Sequence, residues 1–114
     1  MDKFLKTTHL SEILEESHKH PVVIFKYSNE CGSSTRLANQ LEQAKEEKTI
    51  DSPIYIVIVQ IHKALSQKVE ELFDIKHESP QIITVEKGKV LYTAHHGNIH
   101  LSGIIASIQP HEAL

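Results

Sequence analysis

The sequence predicts an α/β domain built on a mixed sheet of four to five strands flanked by four helices. Three observations predict it. Four short runs are rich in Val, Ile, Thr and Tyr, residues that fit a pleated, buried surface. Between and after those runs lie segments with apolar residues three and four positions apart, the period of an amphipathic helix. Only Lys87 and Gly88 separate the last two runs, and so short a connection joins antiparallel strands.

Taken in order, Phe4 to Thr7 is a candidate short extra strand. Leu10, Ile13 and Leu14 share one face of a helix near 9–19, which Pro21 stops. Val22-Val23-Ile24-Phe25-Lys26-Tyr27 is broken only by Lys26, as expected for a strand largely buried on both faces. Leu37, Ala38, Leu41 and Ala44 line one face of a helix near 33–48 whose surface is Arg, Gln, Glu and Lys. Tyr55 to Val59 reads as the second strong strand. Leu65, Val69, Leu72 and Phe73 mark a helix near 63–74. Gln81 to Glu86 and Lys89 to Thr93 are the two hairpin strands. Leu101, Ile104, Ile105 and Ile108 mark the last helix, with Asn98 as its N-cap and Pro110 beyond its end. A strand, a long crossover and a further strand favour a parallel pair; the terminal hairpin adds an antiparallel strand. This is the arrangement of the thioredoxin fold.

Length and composition narrow the function classes. A chain of 114 residues is expected to form one domain over 1–114, with a radius of gyration of about 13 Å. Hydrophobic residues are 39% and charged residues 24%, a globular balance that excludes a disordered tail. Lys and Arg number 12 against 15 Asp and Glu, and no basic run appears, so a nucleic-acid partner is not expected. The longest apolar runs, Ile54–Val59 and Val22–Phe25, are far too short to cross a bilayer, so no membrane partner is expected either. Met1 to Lys6 hold no long apolar stretch and read as no signal peptide. One cysteine, Cys31, cannot make an internal disulfide, which points to a reducing, cytoplasmic setting.

The chemistry centres on that cysteine. Cys31 stands four residues after the end of the first strong strand, and a helix pattern begins just beyond it. A thiol there faces the free amide donors of a helix N-terminus, which favour the nucleophilic thiolate. Gly32 is expected to allow a tight turn and close approach of a partner. Ser33 and Ser34 are expected to cap the helix or donate hydroxyl hydrogen bonds to the sulfur. Glu30 is expected to oppose ionisation. A free cysteine is often an inert small hydrophobe, but Ser28, Asn29, Glu30, Gly32, Ser33 and Ser34 make this loop wholly polar. Ser79-Pro80 opens the third strong strand. A proline there needs no ladder donor. In this fold order it is also where a cis bond forms beside the thiol, leaving the Ser79 backbone free to pair with an extended ligand. Cys31 and Pro80 should meet at one end of the sheet.

These residues resemble the monothiol bacilliredoxin family, thioredoxin-like redox proteins of the bacillithiol system. The matching stretches are Pro21 to Ser28 leading to Cys31, then Lys76-His77-Glu78-Ser79-Pro80-Gln81, then Gly88-Lys89-Val90. Similarity runs from about Leu10 to Gly103. The family motif commonly reads Cys-Pro-Ile-Ser; here it is Cys31-Gly32-Ser33-Ser34. The resemblance implies thiol–disulfide exchange in which Cys31 removes bacillithiol from mixed disulfides on proteins. It implies bacillithiol and bacillithiolated proteins as partners, no bound cofactor, and Gly32, Ser33, Ser34, Ser79 and Pro80 as the substrate-binding residues. One cysteine cannot resolve its own mixed disulfide, so an external thiol is required.

Two other classes compete. Cys31-Gly32-Ser33-Ser34 resembles the Cys-Gly-x-Ser pattern of monothiol glutaredoxins, which implies an iron–sulfur carrier. The Gly-Gly glutathione signature of those proteins is missing after the fourth strand. A redox-silent binding module using the Pro80 groove is the third reading. Among nine histidines, His95, His96 and His100 lie close together and His18 and His20 flank Lys19, but no spacing matches a zinc pattern, so no metal is expected. Lys26, Arg36 and His77 are candidates for electrostatic help to the thiol.

Overall fold

In a computed structural model the described residues are 2–109. They form α1 (Leu10–Ser17), β1 (Val22–Tyr27), α2 (Gly32–Glu46), β2 (Ile54–Ile58), α3 (Lys63–Phe73), β3 (Gln81–Glu86), β4 (Lys89–His95) and α4 (Leu101–Ile108), with a 3-10 turn at His96–Asn98. Pro110, expected just past the last helix, lies outside the described residues. The radius of gyration is 13.0 Å. The sheet has four strands in the order β2-β1-β3-β4. β1 and β2 are parallel, while β3 runs antiparallel to both β1 and β4.

The candidate strand at Phe4–Thr7 shrinks to one bridge. Leu5 donates to Ile54 O at 2.8 Å and accepts from Ile56 N at 3.0 Å, and the neighbouring positions do not pair. Phe4 instead turns into the core, where its ring meets Phe25 edge-on at 5.8 Å.

Alternation along the strands sends apolar side chains to both faces. On one face, Val23, Phe25, Tyr27, Ile54, Ile56 and Ile58 pack against Leu37, Leu41 and Ala44 of α2 and Ile104 and Ile108 of α4. On the other, Val22, Ile24, Tyr55, Val57 and Val85 pack against Ile13 of α1 and Leu65 and Val69 of α3. Fully burying one such Val, Leu or Ile side chain stabilises by about 1.5–3 kcal/mol, so the two layers hold the sheet from both sides.

The β1–α2–β2 crossover gives the expected parallel pair, but the connection through α3 does not give a second. Asp74 ends α3 in the left-handed conformation (φ 54). The chain then runs back along the helix: Ile75 N bonds Glu70 O at 3.3 Å, and the His77 ring reaches Ser66 Oγ at 3.4 Å. β3 therefore enters the sheet from the end where α3 began and runs against β1. The hairpin turns through Lys87 (φ 53) and Gly88 (φ 74), both positive, as a two-residue turn matching strand twist requires. The C-terminal end of α1 holds that turn: Lys87 N donates to Ser17 O at 2.7 Å and Gly88 N to Ser17 Oγ at 3.1 Å. The N-cap of α4 is His100, not Asn98, which closes the 3-10 turn instead. No helix among the described residues is long and apolar enough to cross a membrane.

Candidate active site

The register brings four strand ends together. Tyr27 pairs with Ile58, Lys26 with Gln81, and Gln81 with His95. The loop after β1, the loop after β2, the residues before β3 and the turn after β4 therefore share one end of the sheet. Cys31 stands there as the N-cap of α2, in extended backbone (φ −119, ψ 117). Its carbonyl accepts from Ser34 N at 3.1 Å and Thr35 N at 3.3 Å, the first bonds of the helix. The thiol is half-buried and free.

Cys31 Sγ lies 2.9 Å from Ser33 Oγ. The hydroxyl can donate to a thiolate, which the thiol form needs less. That bond is the largest cause of a thiol pKa lowered from 9.0 to about 7; backbone N–H donors of Ser34 and Ser33 come next. Desolvation pushes the other way. Glu30, expected to oppose ionisation, is exposed and is not among the groups that move the thiol. Gly32 does not serve the tight turn expected of it. It is an exposed first helical residue without a positive φ, and a Cβ there would meet nothing within 4 Å. The tight turn does not demand glycine.

Ser34 acts differently from Ser33. It is buried, and its Oγ accepts from Ser28 N at 3.3 Å, tying the start of α2 to the end of β1. Gln60, which the sequence reading passed over, holds the same loop from β2: its Nε2 donates to Ser28 Oγ at 2.7 Å and its Oε1 accepts from Asn29 N at 3.3 Å. Its only signal in the sequence is its place just after the second strand, at the end where Cys31 sits.

The Ser79–Pro80 peptide is cis. Pro80 and Ser33 line one cleft of about 210 Å³ with Arg36, Leu37, His96 and Ile99. Pro80 O accepts from His96 N at 3.0 Å, and the His96 ring donates from Nε2 to Glu78 Oε2 at 2.9 Å. That bond holds the Glu78 carboxyl below the usual range. His96 keeps a positive φ of 52, rare for a residue with a side chain, at the wall of this cleft. Ser79 is half-buried, its hydroxyl without a partner among the described residues.

Lys26 and His77 do not serve the thiol as expected. Lys26 is fully buried on the α1–α3 face, where Nζ donates to Ser66 O at 3.1 Å and to His77 Nδ1 at 3.1 Å. Accepting at Nδ1 makes His77 the Nε2–H tautomer. Burial lowers the Lys26 pKa, against the pull of Glu70; burial and then Lys26 lower that of His77. Glu70 Oε2 also accepts from His77 N at 2.7 Å. This cluster fastens the segment leading to Pro80. Of the remaining histidines, His20 meets Glu16 at 3.2 Å and His95 stacks edge-on with His96. No group of three or more His, Cys, Asp or Glu among the described residues could hold a metal ion.

The sequence profile of the family described as Monothiol bacilliredoxin BrxC matches residues 3–104. A solved structure described as "A putative oxidoreductase with a thioredoxin fold" is 24% identical, with a TM-score of 0.81 over 95% of this chain and 96% of that one. A point-substituted thioredoxin of Halobacterium salinarum is 17% identical, with a TM-score of 0.71 over 94% of this chain and 88% of its own. The thioredoxin of Malassezia sympodialis is 17% identical, with a TM-score of 0.70 over 92% and 87%. These likenesses show the thioredoxin fold.

Proposed function

This chain belongs to the monothiol bacilliredoxin family, and on that premise we propose that it removes bacillithiol from mixed disulfides on proteins, using Cys31 as its nucleophile. Family membership supports a thiol oxidoreductase. The observation that supports exchange at Cys31 is a lone cysteine at a helix start whose thiol is lowered to about 7, with Ser33 Oγ at 2.9 Å; bacillithiol as the thiol removed rests on the family.

The chemistry balances as two exchanges. Cys31 thiolate attacks the bacillithiol sulfur of the mixed disulfide; a Cys31–bacillithiol bond forms and the protein–bacillithiol bond breaks. The target protein departs as thiolate and takes a proton from water. An external thiol then attacks the bacillithiol sulfur on Cys31, forms a new disulfide with it and releases Cys31 as thiolate. That external thiol is the reductant, because no second cysteine exists in the chain. Ser33 favours both steps, since a stabilised thiolate is present to attack and is also the better leaving group. Pro80 and Ser33 line one cleft, which supports the residues around Ser79 and Pro80 as a place for the substrate backbone. Neither step calls on a resident cofactor, and a sequence with a single cysteine supports a reducing, cytoplasmic setting.

Intact mass spectrometry of a stalled reaction is the test. Without added thiol, wild type should turn over once and hold one bacillithiol per chain, while Cys31→Ala should show neither activity nor adduct. If substrate is reduced while Cys31 stays free of adduct, the monothiol mechanism is wrong, and the iron–sulfur and binding-module readings move ahead.

A further inference from the structure

Arg36 lies one helical turn beyond Ser33, is exposed, and lines the same cleft as Pro80 and His96. Among the described residues its guanidinium makes no ion pair or hydrogen bond. The carboxylate near the cleft, Glu78, is already engaged by His96 at 2.9 Å. Arg36 is thus an uncompensated cation in the cleft that Ser33, the hydroxyl partner of the Cys31 sulfur, also lines. A second cleft of about 360 Å³ shares Gln40 and Ile99 with it and is lined as well by Ala44, Leu101 and Glu47. Arg36 lines the first cleft and Glu47 the second, and together the two have the size of a small-ligand site. Lys26, the other cation near this end of the sheet, is buried against Ser66 and His77 and offers nothing to the groove.

We infer that Arg36 sets the specificity of this site: it pairs with a carboxylate on the small thiol whose sulfur becomes bonded to Cys31. A guanidinium meets a carboxylate through two parallel N–H···O bonds, which gives orientation as well as attraction. The occupant is an anionic low-molecular-weight thiol lying along α2, its charged end at Arg36. This inference rests on the exchange reading in taking Cys31 to accept a small thiol. The covalent step is unchanged: the Cys31–small-thiol bond forms, the original disulfide bond breaks, and the displaced thiolate is protonated by water.

The test uses one peptide cysteine carried as two mixed disulfides, one with mercaptosuccinate, which bears two carboxylates, and one with neutral 1-thioglycerol. Adduct formation on Cys31 is timed by intact mass, and each rate is divided by the rate with free 2-mercaptoethanol to remove intrinsic reactivity. Wild type should prefer the mercaptosuccinyl substrate by about fivefold, the scale of one partly exposed ion pair. Arg36→Gln should bring the ratio close to one, Arg36→Lys should retain part of it, and added salt should erode it in wild type and Arg36→Lys but not in Arg36→Gln. Equal rates for both probes in wild type, or a ratio that survives in Arg36→Gln, overturns the role of Arg36 and leaves the exchange reading standing. Failure of both probes to modify Cys31 overturns both.

Discussion

Replacing Ser33 by Ala removes the hydroxyl at 2.9 Å from Cys31 Sγ and leaves the backbone donors of Ser33 and Ser34 in place. The thiol midpoint should rise from about 7 toward 9.0, its unperturbed value. That interval is about a hundredfold in proton affinity, and thiolate population below the midpoint falls in proportion. Reactivity falls less, because a more basic thiolate is a better nucleophile, with a Brønsted slope of about 0.4–0.5. If Ser33 accounted for the whole interval, the rate at low pH would fall by about tenfold; since the amides share the effect, about tenfold is the ceiling. The same slope predicts a crossing. Once both proteins are fully ionised, Ser33→Ala should react faster than wild type. Alkylation of Cys31 by iodoacetamide, followed across pH, measures both limbs. A variant with the wild-type midpoint, or one slower at every pH, refutes Ser33 as the main source of acidity.

Three further outcomes follow from the surrounding contacts. Lys26→Met removes the ammonium that donates to both Ser66 O and His77 Nδ1 and should cost about 1–3 kcal/mol in urea unfolding; an unchanged midpoint would deny that the cluster fastens the segment before Pro80. His77 has a pKa lowered below 6.5, so the unfolded chain holds that proton more tightly. Its share of stability is present above pH 6.5 and is lost as pH falls through the lowered value; His77→Gln should therefore lose less stability than wild type between neutral and acid pH, by urea titration. Gln60→Ala should speed hydrogen exchange at Asn29, whose amide it accepts, and equal exchange would remove Gln60 as a support of the Cys31 loop.

What the sequence disclosed divides by range. Local patterns disclose the four strands, the four helices and the hairpin at Lys87-Gly88, because period and turn chemistry act over a few residues; the helix expected from Ser33 or Ser34 with a serine cap instead starts at Gly32 with Cys31 as its N-cap. The N-cap of α4 was misplaced because Asn98 is spent on a 3-10 turn between β4 and α4, and such a turn has no pattern of its own. Ser33 was visible as a donor; the different duties of Ser33 and Ser34 were not, since only the packed loop shows which hydroxyl is buried. Lys26 stood out as the lone charge in an apolar run, yet its partner lies 51 residues on and is reached only after α3 doubles back. Gln60 carries no local mark beyond its place after the second strand, and Glu70 carries none. Both matter through contacts across elements, and a period-based reading cannot see those.

The single bridge at Leu5 has a consequence for the protein's solubility. β2 is an edge strand, and its Ile54, Tyr55, Ile56, Val57 and Ile58 form an uncharged, β-prone stretch without proline. Left open, its outward amides and carbonyls would template another chain. Leu5 occupies that edge at Ile54 and Ile56 while Phe4, its neighbour, is locked into the core. Two adjacent residues thus act as a stopper whose anchoring and blocking halves cannot be separated. Detaching this segment would uncover an adhesive strand and a hole in the core together, so self-association should set in before the sheet itself comes apart.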